Sequence, residues 1–279
     1  MEQAVWIDWR KIEIAPSGAQ RIYFGHETCA NLLPDIHSAK ALAHRCLEAG
    51  KAATLVTPFV SDEAFDYAVR LINVLCDILG TLELISSDWG ILNTFCGHNR
   101  VTPVIGRLLT AQPTDPRIMR LLSAEESLSN TTTGQAGKTA QPVKKMPASA
   151  MLKNHFRKLW LDRPHVQQYL MGKGICRAEI SFPSQGICVS PISKWSYSLH
   201  VSDVIVAVMA CCEGNPAGAS SSRCAASAEC TGNTYQWSHP SFAQPFYRSG
   251  NGIYYRPQIK ADEQFPSAID RTVYKIGGR

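Results

Sequence analysis

Along the first 126 residues, short runs of β-branched and aromatic residues alternate with amphipathic windows. Arg21–Gly25 (RIYFG) predicts a strand, and the window 39–49 after it predicts a helix that ends at Gly50. Residues 53–58 and Asp62–Leu79 repeat this pair, with apolar side chains at three- and four-residue steps in the helix. Two similar pairs follow, namely strand 82–85 with a helix capped by Ser87 or Asp88, and strand 101–106 with a helix within 116–126. Strands that alternate with helices predict a parallel sheet with helices on its outside.

The second half of the sequence departs from this alternation. Residues 127–150 are rich in Ser, Thr, Gly, Pro and Ala, which predicts a low-complexity excursion from the fold. Residues 211–279 predict a loop-rich, cysteine-containing tail with short strands. Between them the pattern predicts a helical stretch at 151–170 and buried strands at 176–189 and 203–212. We therefore expect a single α/β domain over residues 1–279 that is irregular at its C-terminal end.

Composition narrows the class of protein. The 279 residues include 28 Lys and Arg against 23 Asp and Glu, a formal net charge of +5, and 45% of them are hydrophobic. This is enough apolar material for a sizeable core in one large domain. No run approaches the roughly 18 to 20 apolar residues of a spanning helix, so we expect no membrane insertion. Because MEQAVWIDWRK lacks the pattern of an export signal, we expect a cytoplasmic protein whose ten cysteines are thiols or metal ligands.

The cysteines carry the strongest chemical signal. Cys211, Cys212, Cys224 and Cys230 fall in a stretch rich in Gly, Ser and Ala, and thiolates are the soft ligands that iron–sulfur clusters require. Cys29 follows the first predicted strand in GHETCAN, at the carboxyl end where α/β barrels gather their chemistry, and could meet the later thiols there. The alternative is burial as small apolar side chains. We expect the remaining cysteines to be buried, namely Cys46, Cys76, Cys96, Cys176 and Cys188. For Cys176 and Cys188, the alternative is a role as spare metal ligands.

Charged residues after the predicted strands are candidates for binding or catalysis. Arg107 and Arg117 follow the strand predicted at 101–106, and guanidinium groups suit carboxylates. Glu27 and Asp88 share the predicted rim, where Trp89 could stack on a ring. A helix cap or a structural ion pair is the alternative role for each charged residue.

A basic patch lies further along the chain. Residues 138–177 hold nine basic residues and a single acid, Asp162. Such a patch attracts phosphates, and a solvated helix face is the alternative interpretation.

Four segments together resemble a known family. They are GHETCAN (25–31), SSDWGIL (86–92), GRLLTAQPTDPRI (106–118) and AEISFPSQGI (178–187). In this order they resemble the collagenase-like peptidase U-32 family, and within it the UbiV-type branch of oxygen-independent ubiquinone hydroxylation. The resemblance implies a TIM-like (β/α) barrel, a heteromeric partner from the same family and a small carboxylated metabolite as oxygen donor. It also implies a [4Fe–4S] cluster whose ligands are Cys29, Cys212 (with Cys211 as the alternate), Cys224 and Cys230.

We therefore expect an iron–sulfur protein that takes part in an oxygen-independent hydroxylation or related redox modification of a small molecule. The candidate catalytic residues are Glu27, Asp88, Arg107 and Arg117. The alternative is an RNA-modification accessory or a non-catalytic partner subunit that uses the basic patch. A peptidase ranks third, because the sequence has no HExxH motif, no GxSxG elbow and no thiol-protease signature.

Overall fold

Eight parallel strands close into a barrel. The computed structural model describes residues 1–10, 18–123, 150–209, 236–238, 242, 244–259 and 263–276. The barrel strands, in order around the barrel, are β1 (Glu2–Trp6), β2 (Arg21–Gly25), β3 (Ala52–Thr57), β4 (Leu82–Ser86), β5 (Val101–Ile105), β6 (Arg177–Ser181), β7 (Ser196–His200) and β12 (Ile269–Lys275). Because β12 pairs in parallel with both β7 and β1, no edge of this sheet is left open. The expected TIM-like α/β barrel is confirmed.

Helices cover the outside of the first half of the barrel. They are α1 (Ile36–Glu48), α2 (Asp62–Leu79), α3 (Trp89–Phe95), α4 (Arg117–Ser123), α5 (Ala150–His155) and α6 (Pro164–Gly172). The apolar stripe of α2 explains its position, since Leu71, Ile72 and Leu75 are fully buried against the strands. Gly80 ends this helix with a φ of +74°, a conformation that suits glycine. No helix in the described ranges is long and apolar enough to cross a membrane.

A second sheet is inserted between the last two barrel strands. It is antiparallel, and its strands in spatial order are β8 (Val204–Val208), β11 (Gly252–Tyr255), β10 (Phe246–Ser249) and β9 (Gln236–Trp237). β8 begins four residues after the carboxyl end of β7. The hydroxyl of Thr28, beyond the carboxyl end of β2, donates to the carbonyl oxygen of Ser249 in β10 at 3.4 Å. The second sheet therefore covers the carboxyl end of the barrel, the end that carries the site.

The interior of the barrel is apolar at its middle and charged at its amino end. A small buried cluster fills the middle: Ala4, Trp6, Tyr23, Val56, Ile85, Val104 and Val273. Below it, the Arg271 guanidinium donates to both carboxylate oxygens of Glu83, at 2.7 and 3.0 Å, and to Glu2 at 2.6 Å. It also donates to the hydroxyl of Tyr23 at 2.8 Å. Arg271, from the last strand, thus joins charged groups of the first strands.

Several details differ from the sequence prediction. The strand that precedes Cys29 is the second barrel strand, because β1 was not predicted, and neither were β7 and β12. The stretch 203–212 contributes β8 to the antiparallel sheet, and the strand expected at 176–189 covers only β6. The helix expected at 151–170 is divided into α5 and α6.

The outcome for the remaining cysteines is mixed. Cys46 and Cys76 are buried as expected, but Cys176 is exposed and Cys96 and Cys188 are half-buried. The expected burial of Cys176 was wrong because it lies before β6, outside the packed face. The excursion predicted at 127–150 and the cysteine segment 211–230 lie outside the described residues, apart from Ala150 at the start of α5.

Candidate functional site

A buried arginine organises the carboxyl end of the barrel. Arg107 lies in a short 3-10 turn directly after β5, and its side chain is 1% exposed. Its Nε donates to Glu27 Oε2 at 2.9 Å, and its Nη2 donates to Glu27 Oε1. Its Nη1 donates to Asp203 Oδ1 at 2.8 Å, to the Asp203 carbonyl oxygen at 3.0 Å and to Ser181 Oγ at 3.2 Å. The guanidinium therefore bridges the ends of β2, β5, β6 and the start of β8.

Two glycines let the backbone approach closely enough to form this bridge. Gly25 ends β2 with a φ of +104°, and a Cβ at this position would lie 2.2 Å from the Val56 carbonyl oxygen. Gly106 precedes Arg107, and a Cβ there would lie 2.6 Å from Ser87 Oγ. Both positions exclude a side chain, so the turns that carry Glu27 and Arg107 can meet at short range.

The second sheet adds two tyrosines to the cluster. The Tyr254 hydroxyl donates to Glu27 Oε1 at 3.1 Å, and the Tyr247 hydroxyl donates to Asp203 Oδ2 at 3.2 Å. Lys275 of β12 places its Nζ 3.6 Å from Asp203 Oδ2. Burial and the nearby carboxylates raise the pKa of both tyrosines, so their hydroxyls stay protonated as donors.

The charges of this cluster balance. Although burial opposes it, the Arg107 guanidinium holds the pKa of Glu27 and of Asp203 below the usual range, and Lys275 contributes at Asp203. The same two carboxylates raise the pKa of Arg107 against the effect of its burial. Two carboxylates thus face two cations. Because the chain's own carboxylates occupy the guanidinium, a carboxylated ligand could reach it only by displacing one of them.

A histidine–carboxylate pair lies deeper in the barrel. His200 Nε2 and Glu179 Oε2 are 2.7 Å apart, and both side chains are almost fully buried. The Tyr23 hydroxyl donates to the other carboxylate oxygen of Glu179 at 3.2 Å. Since Arg271 donates to that same hydroxyl, a hydrogen-bonded column runs from the amino end of the barrel to His200.

A narrow cavity separates this pair from the Arg107 cluster. It is lined by Arg107 and Glu27 on one side, and by Trp6, Val56, Ile85, Ser87, Glu179 and His200 elsewhere. Ser87 Oγ is buried without a hydrogen-bond partner among the described residues. Its walls combine apolar side chains with a few polar groups, but the space between them is too narrow for a small molecule.

The four predicted catalytic candidates divide into two groups. Glu27 and Arg107 form the centre of the cluster. Asp88 is the N-cap of α3, where its carboxylate accepts from the Ile91 amide at 3.0 Å and from the Val60 amide at 3.2 Å. Arg117 is exposed and pairs with Asp115, two residues earlier. The structure therefore brings Glu27 and Arg107 together, gives Asp88 a capping role and leaves Arg117 outside the cluster.

Cys29 lies beside the cluster, two residues after Glu27. It is buried and precedes the 3-10 turn Ala30–Leu32. The tip of the β10–β11 hairpin packs on it: Gly250 has a φ of +57°, and a Cβ there would lie 3.1 Å from Cys29 Cβ and 2.6 Å from His26 Cε1. Burial and the Lys275 ammonium lower the pKa of His26 to about 3, so its ring is neutral at neutral pH. The other predicted ligands lie outside the described residues: Cys211, Cys212, Cys224 and Cys230.

Sequence reasoning missed most partners of Arg107. Asp203 directly precedes β8, and the two tyrosines lie in β10 and β11. The placement of this second sheet has no local signal in the sequence. Glu179 had one, because in RAEIS it alternates with Ser181 inside a strand, and polar residues at period two indicate a polar barrel interior. Within the described ranges, no group of three His, Cys, Asp or Glu side chains is arranged to hold a metal ion.

The fold and the site define an α/β barrel of the TIM type with a buried, charge-balanced cluster at its carboxyl end. No protein-family model matches the sequence, and no curated protein matches it. Among solved structures, the U32 peptidase Mk0906 is similar to this chain with a TM-score of 0.45 and 10% identity, over 100% of this chain and 94% of that one. So distant a likeness concerns the fold alone and supports no statement about activity.

Proposed function

We propose that this protein holds a [4Fe–4S] cluster through Cys29, Cys212 (or Cys211), Cys224 and Cys230. We propose further that it takes part in an oxygen-independent hydroxylation or related redox modification of a small molecule. A heteromeric partner from the same family and a small carboxylated oxygen donor belong to this proposal. The observation that carries it is the path of the chain beside Cys29.

The described chain passes Cys29 shortly before the cysteine-rich segment begins. The Met209 amide donates to the Asn251 carbonyl oxygen at 2.8 Å. Asn251 adjoins Gly250, whose backbone packs on Cys29. Cys211 and Cys212 follow Met209 by two and three residues, and three extended residues span about 10 Å. This reach supports a shared ligand set.

The chemistry around Cys29 fits a thiolate-held cluster. Cys29 is buried at the carboxyl end of a barrel strand, and a glycine faces it where any side chain would collide. Thiolates are the preferred ligands of iron–sulfur clusters, which supply one-electron transfer when bound. The chain's own contribution is to exclude water, because Glu27, two residues before Cys29, is buried together with Arg107 and Asp203, and the arginine is hydrogen-bonded to both carboxylates.

Iron and sulfide analysis after anaerobic purification and reconstitution tests the proposal. We expect about four iron and four sulfide atoms per chain and a broad visible absorption. Cys29→Ser and Cys224→Ser should each lose most of the iron and the absorption. Cys76→Ser is the matched control, because Cys76 is buried in α2 against the Arg100 carbonyl oxygen, and it should keep full content. A wild-type protein without iron, or full content in both ligand variants, would contradict the proposal.

A further inference from the structure

The surface that follows α5 combines exposed cations with exposed aromatic rings. Its exposed basic side chains are Lys153, Arg157, Lys158, Arg163 and Lys173. Between them lie Trp160, which is 41% exposed, and Tyr169, which is 66% exposed. We call these seven residues the basic surface. Large aromatic side chains gain free energy on burial, so two exposed rings among cations call for an explanation.

This stretch accounts for the positive charge of the whole chain. Residues 150–177 contain six Lys and Arg and one acid, a net charge of +5, which equals the formal net charge of all 279 residues. The one acid, Asp162, points inward: its Oδ2 accepts from the Ser190 amide at 2.6 Å and its Oδ1 accepts from the Tyr197 hydroxyl at 3.2 Å. Its carboxylate is therefore engaged with the interior, and the exposed cations form a field of one sign.

The two rings are held outward by buried neighbours. Leu159 and Leu161, on either side of Trp160, are 3% and 0% exposed. In α6 the residues Gln167 and Leu170 are buried, which turns Tyr169 to the outside. Because these anchors fix the backbone, both rings are held at the surface.

Cations lie on both sides of each ring in the sequence. Lys158 and Arg163 lie on either side of Trp160 in the sequence, and Arg163 and Lys173 bracket α6 at its two ends. These two ends are separated by about 15 Å of helix. Tyr169 is exposed and lies between them in the sequence, so cations and rings alternate along the chain.

The basic surface begins at the end of the barrel that carries the candidate site. Arg157 Nε donates to the Gln185 carbonyl oxygen at 2.6 Å, and Gln185 Nε2 donates to the Pro113 carbonyl oxygen at 2.6 Å. Gln185 and Pro113 follow the carboxyl ends of β6 and β5.

We propose that the basic surface binds single-stranded nucleic acid. The phosphates would pair with Lys158, Arg163 and Lys173, and unstacked bases would stack on Trp160 and Tyr169. Cations alone would suit any polyanion, but flat rings set among cations match the alternation of bases and phosphates in an unpaired strand. This inference does not depend on the iron–sulfur proposal, since none of these residues is a cluster ligand.

Fluorescence anisotropy with the full-length protein tests it. The probes are a labelled RNA strand of mixed sequence and about 20 nucleotides, the DNA strand of the same sequence, and the corresponding duplexes. We expect the single strands to bind more tightly than the duplexes. Between roughly 50 and 200 mM salt, the logarithm of the association constant should fall with log salt at a slope of about −2 to −3.5, as expected for three to five phosphate contacts.

Two kinds of variant separate stacking from charge. Trp160→Ala and Tyr169→Ala should each weaken binding at least about fivefold while leaving the salt slope unchanged. Lys158→Glu with Arg163→Glu should weaken binding and flatten the slope. The matched control is Lys40→Glu with Arg70→Glu, which changes the net charge equally at exposed positions of α1 and α2 and should leave binding nearly unchanged. Circular dichroism and thermal unfolding of each variant check the fold.

Three results would overturn the proposal. The first is no binding at the lowest salt concentration. The second is unchanged affinity in both ring variants together with loss on charge reversal, which would indicate a general polyanion surface. The third is tighter binding to phosphatidylserine vesicles than to either single strand, which would indicate a lipid surface.

Discussion

Arg107 shows how a charge is kept inside this barrel. Removing one partner of a buried ion pair costs about 3 to 5 kcal/mol, whereas the intact pair contributes little net stability. We therefore assign the cluster a positioning role: it fixes where the turns after β2 and β5 meet the start of β8. This hypothesis fits the five hydrogen bonds that the guanidinium donates.

Asp203→Asn tests this assignment through pH. At pH 7 we expect the free energy of unfolding to fall by about 3 to 5 kcal/mol, because the variant leaves Glu27 as the one carboxylate of the cluster that faces the cations Arg107 and Lys275. In the wild type, the two cations hold the pKa of Asp203 below its usual value. The Asp203 carboxylate therefore stabilises the fold fully at pH values above about 3.9, the pKa of an aspartate in the unfolded chain. This stabilisation is lost as the pH falls through the lower pKa that Asp203 has in the folded protein. Urea unfolding should show the difference between the proteins narrowing below about pH 4.

Asp115→Asn serves as the control for this experiment. Its carboxylate pairs with Arg117 at the surface, so its replacement should change stability little at any pH. A gap between wild type and Asp203→Asn that stays constant down to the lowest pH would argue against a depressed pKa.

The sequence predicted where single residues lie better than what they contact. Glu27, Asp88 and Arg107 each follow a predicted strand, so the parallel sheet placed them at one end. The pairing of Glu27 with Arg107 joins residues 80 positions apart, and no local pattern encodes it. Asp203 and Tyr254 were beyond sequence reasoning for the same reason, because they depend on how the second sheet packs on the barrel.

Among the elements, the β10–β11 hairpin connects the second sheet to Cys29. Gly250→Ala and Gly80→Ala are a matched pair, since both residues have positive φ, at +57° and +74°. Both substitutions carry the left-handed strain of about 1 to 2 kcal/mol. Only at Gly250 does the added methyl also meet a neighbour, His26 Cε1 at 2.6 Å, whereas nothing lies within 4 Å of a Cβ at Gly80.

We expect Gly250→Ala to cost about 1 to 3 kcal/mol more than Gly80→Ala, because the collision must be relieved by shifting the hairpin. Denaturant unfolding measures the difference. Amide exchange in β10 and β11 should also accelerate in Gly250→Ala and stay at the wild-type rate in Gly80→Ala. Equal losses of stability would show that the hairpin tip yields freely and does not press on His26 and Cys29.

Two of the strands that were not predicted, β7 and β12, direct polar residues into the barrel interior. Strands β2 to β5 were predicted because most of their residues are apolar and are buried on both faces. In β7, Ser198 and His200 point inward, and in β12 Arg271 and Lys275 do so. In a sequence, charged residues at alternate positions indicate a solvent-exposed face, although here they face one another inside the barrel. The inward polar residues of β7 and β12 therefore obscured these two strands in the sequence.

At the scale of the whole molecule, β12 is the strand that closes the barrel. Deleting residues 269–279 should abolish cooperative unfolding, because β1 and β7 lose their shared neighbour and Glu2 and Glu83 lose Arg271. Near-ultraviolet circular dichroism during urea titration measures this loss. Deleting residues 277–279 alone is the control and should leave the transition intact. A cooperative transition in the longer truncation would show that the open sheet is stable by itself.

The pairing of the first strand with the last also sets the order of events during synthesis. Glu2 and Arg271, which meet in the finished barrel, are 269 positions apart. At translation rates of roughly 5 to 20 residues per second, Glu2 leaves the ribosome tens of seconds before its partner exists. Throughout that interval the nascent sheet presents the free side of β1 to other chains, and such an edge is a template for aggregation. The free side of β1 therefore needs protection from other chains until β12 has left the ribosome.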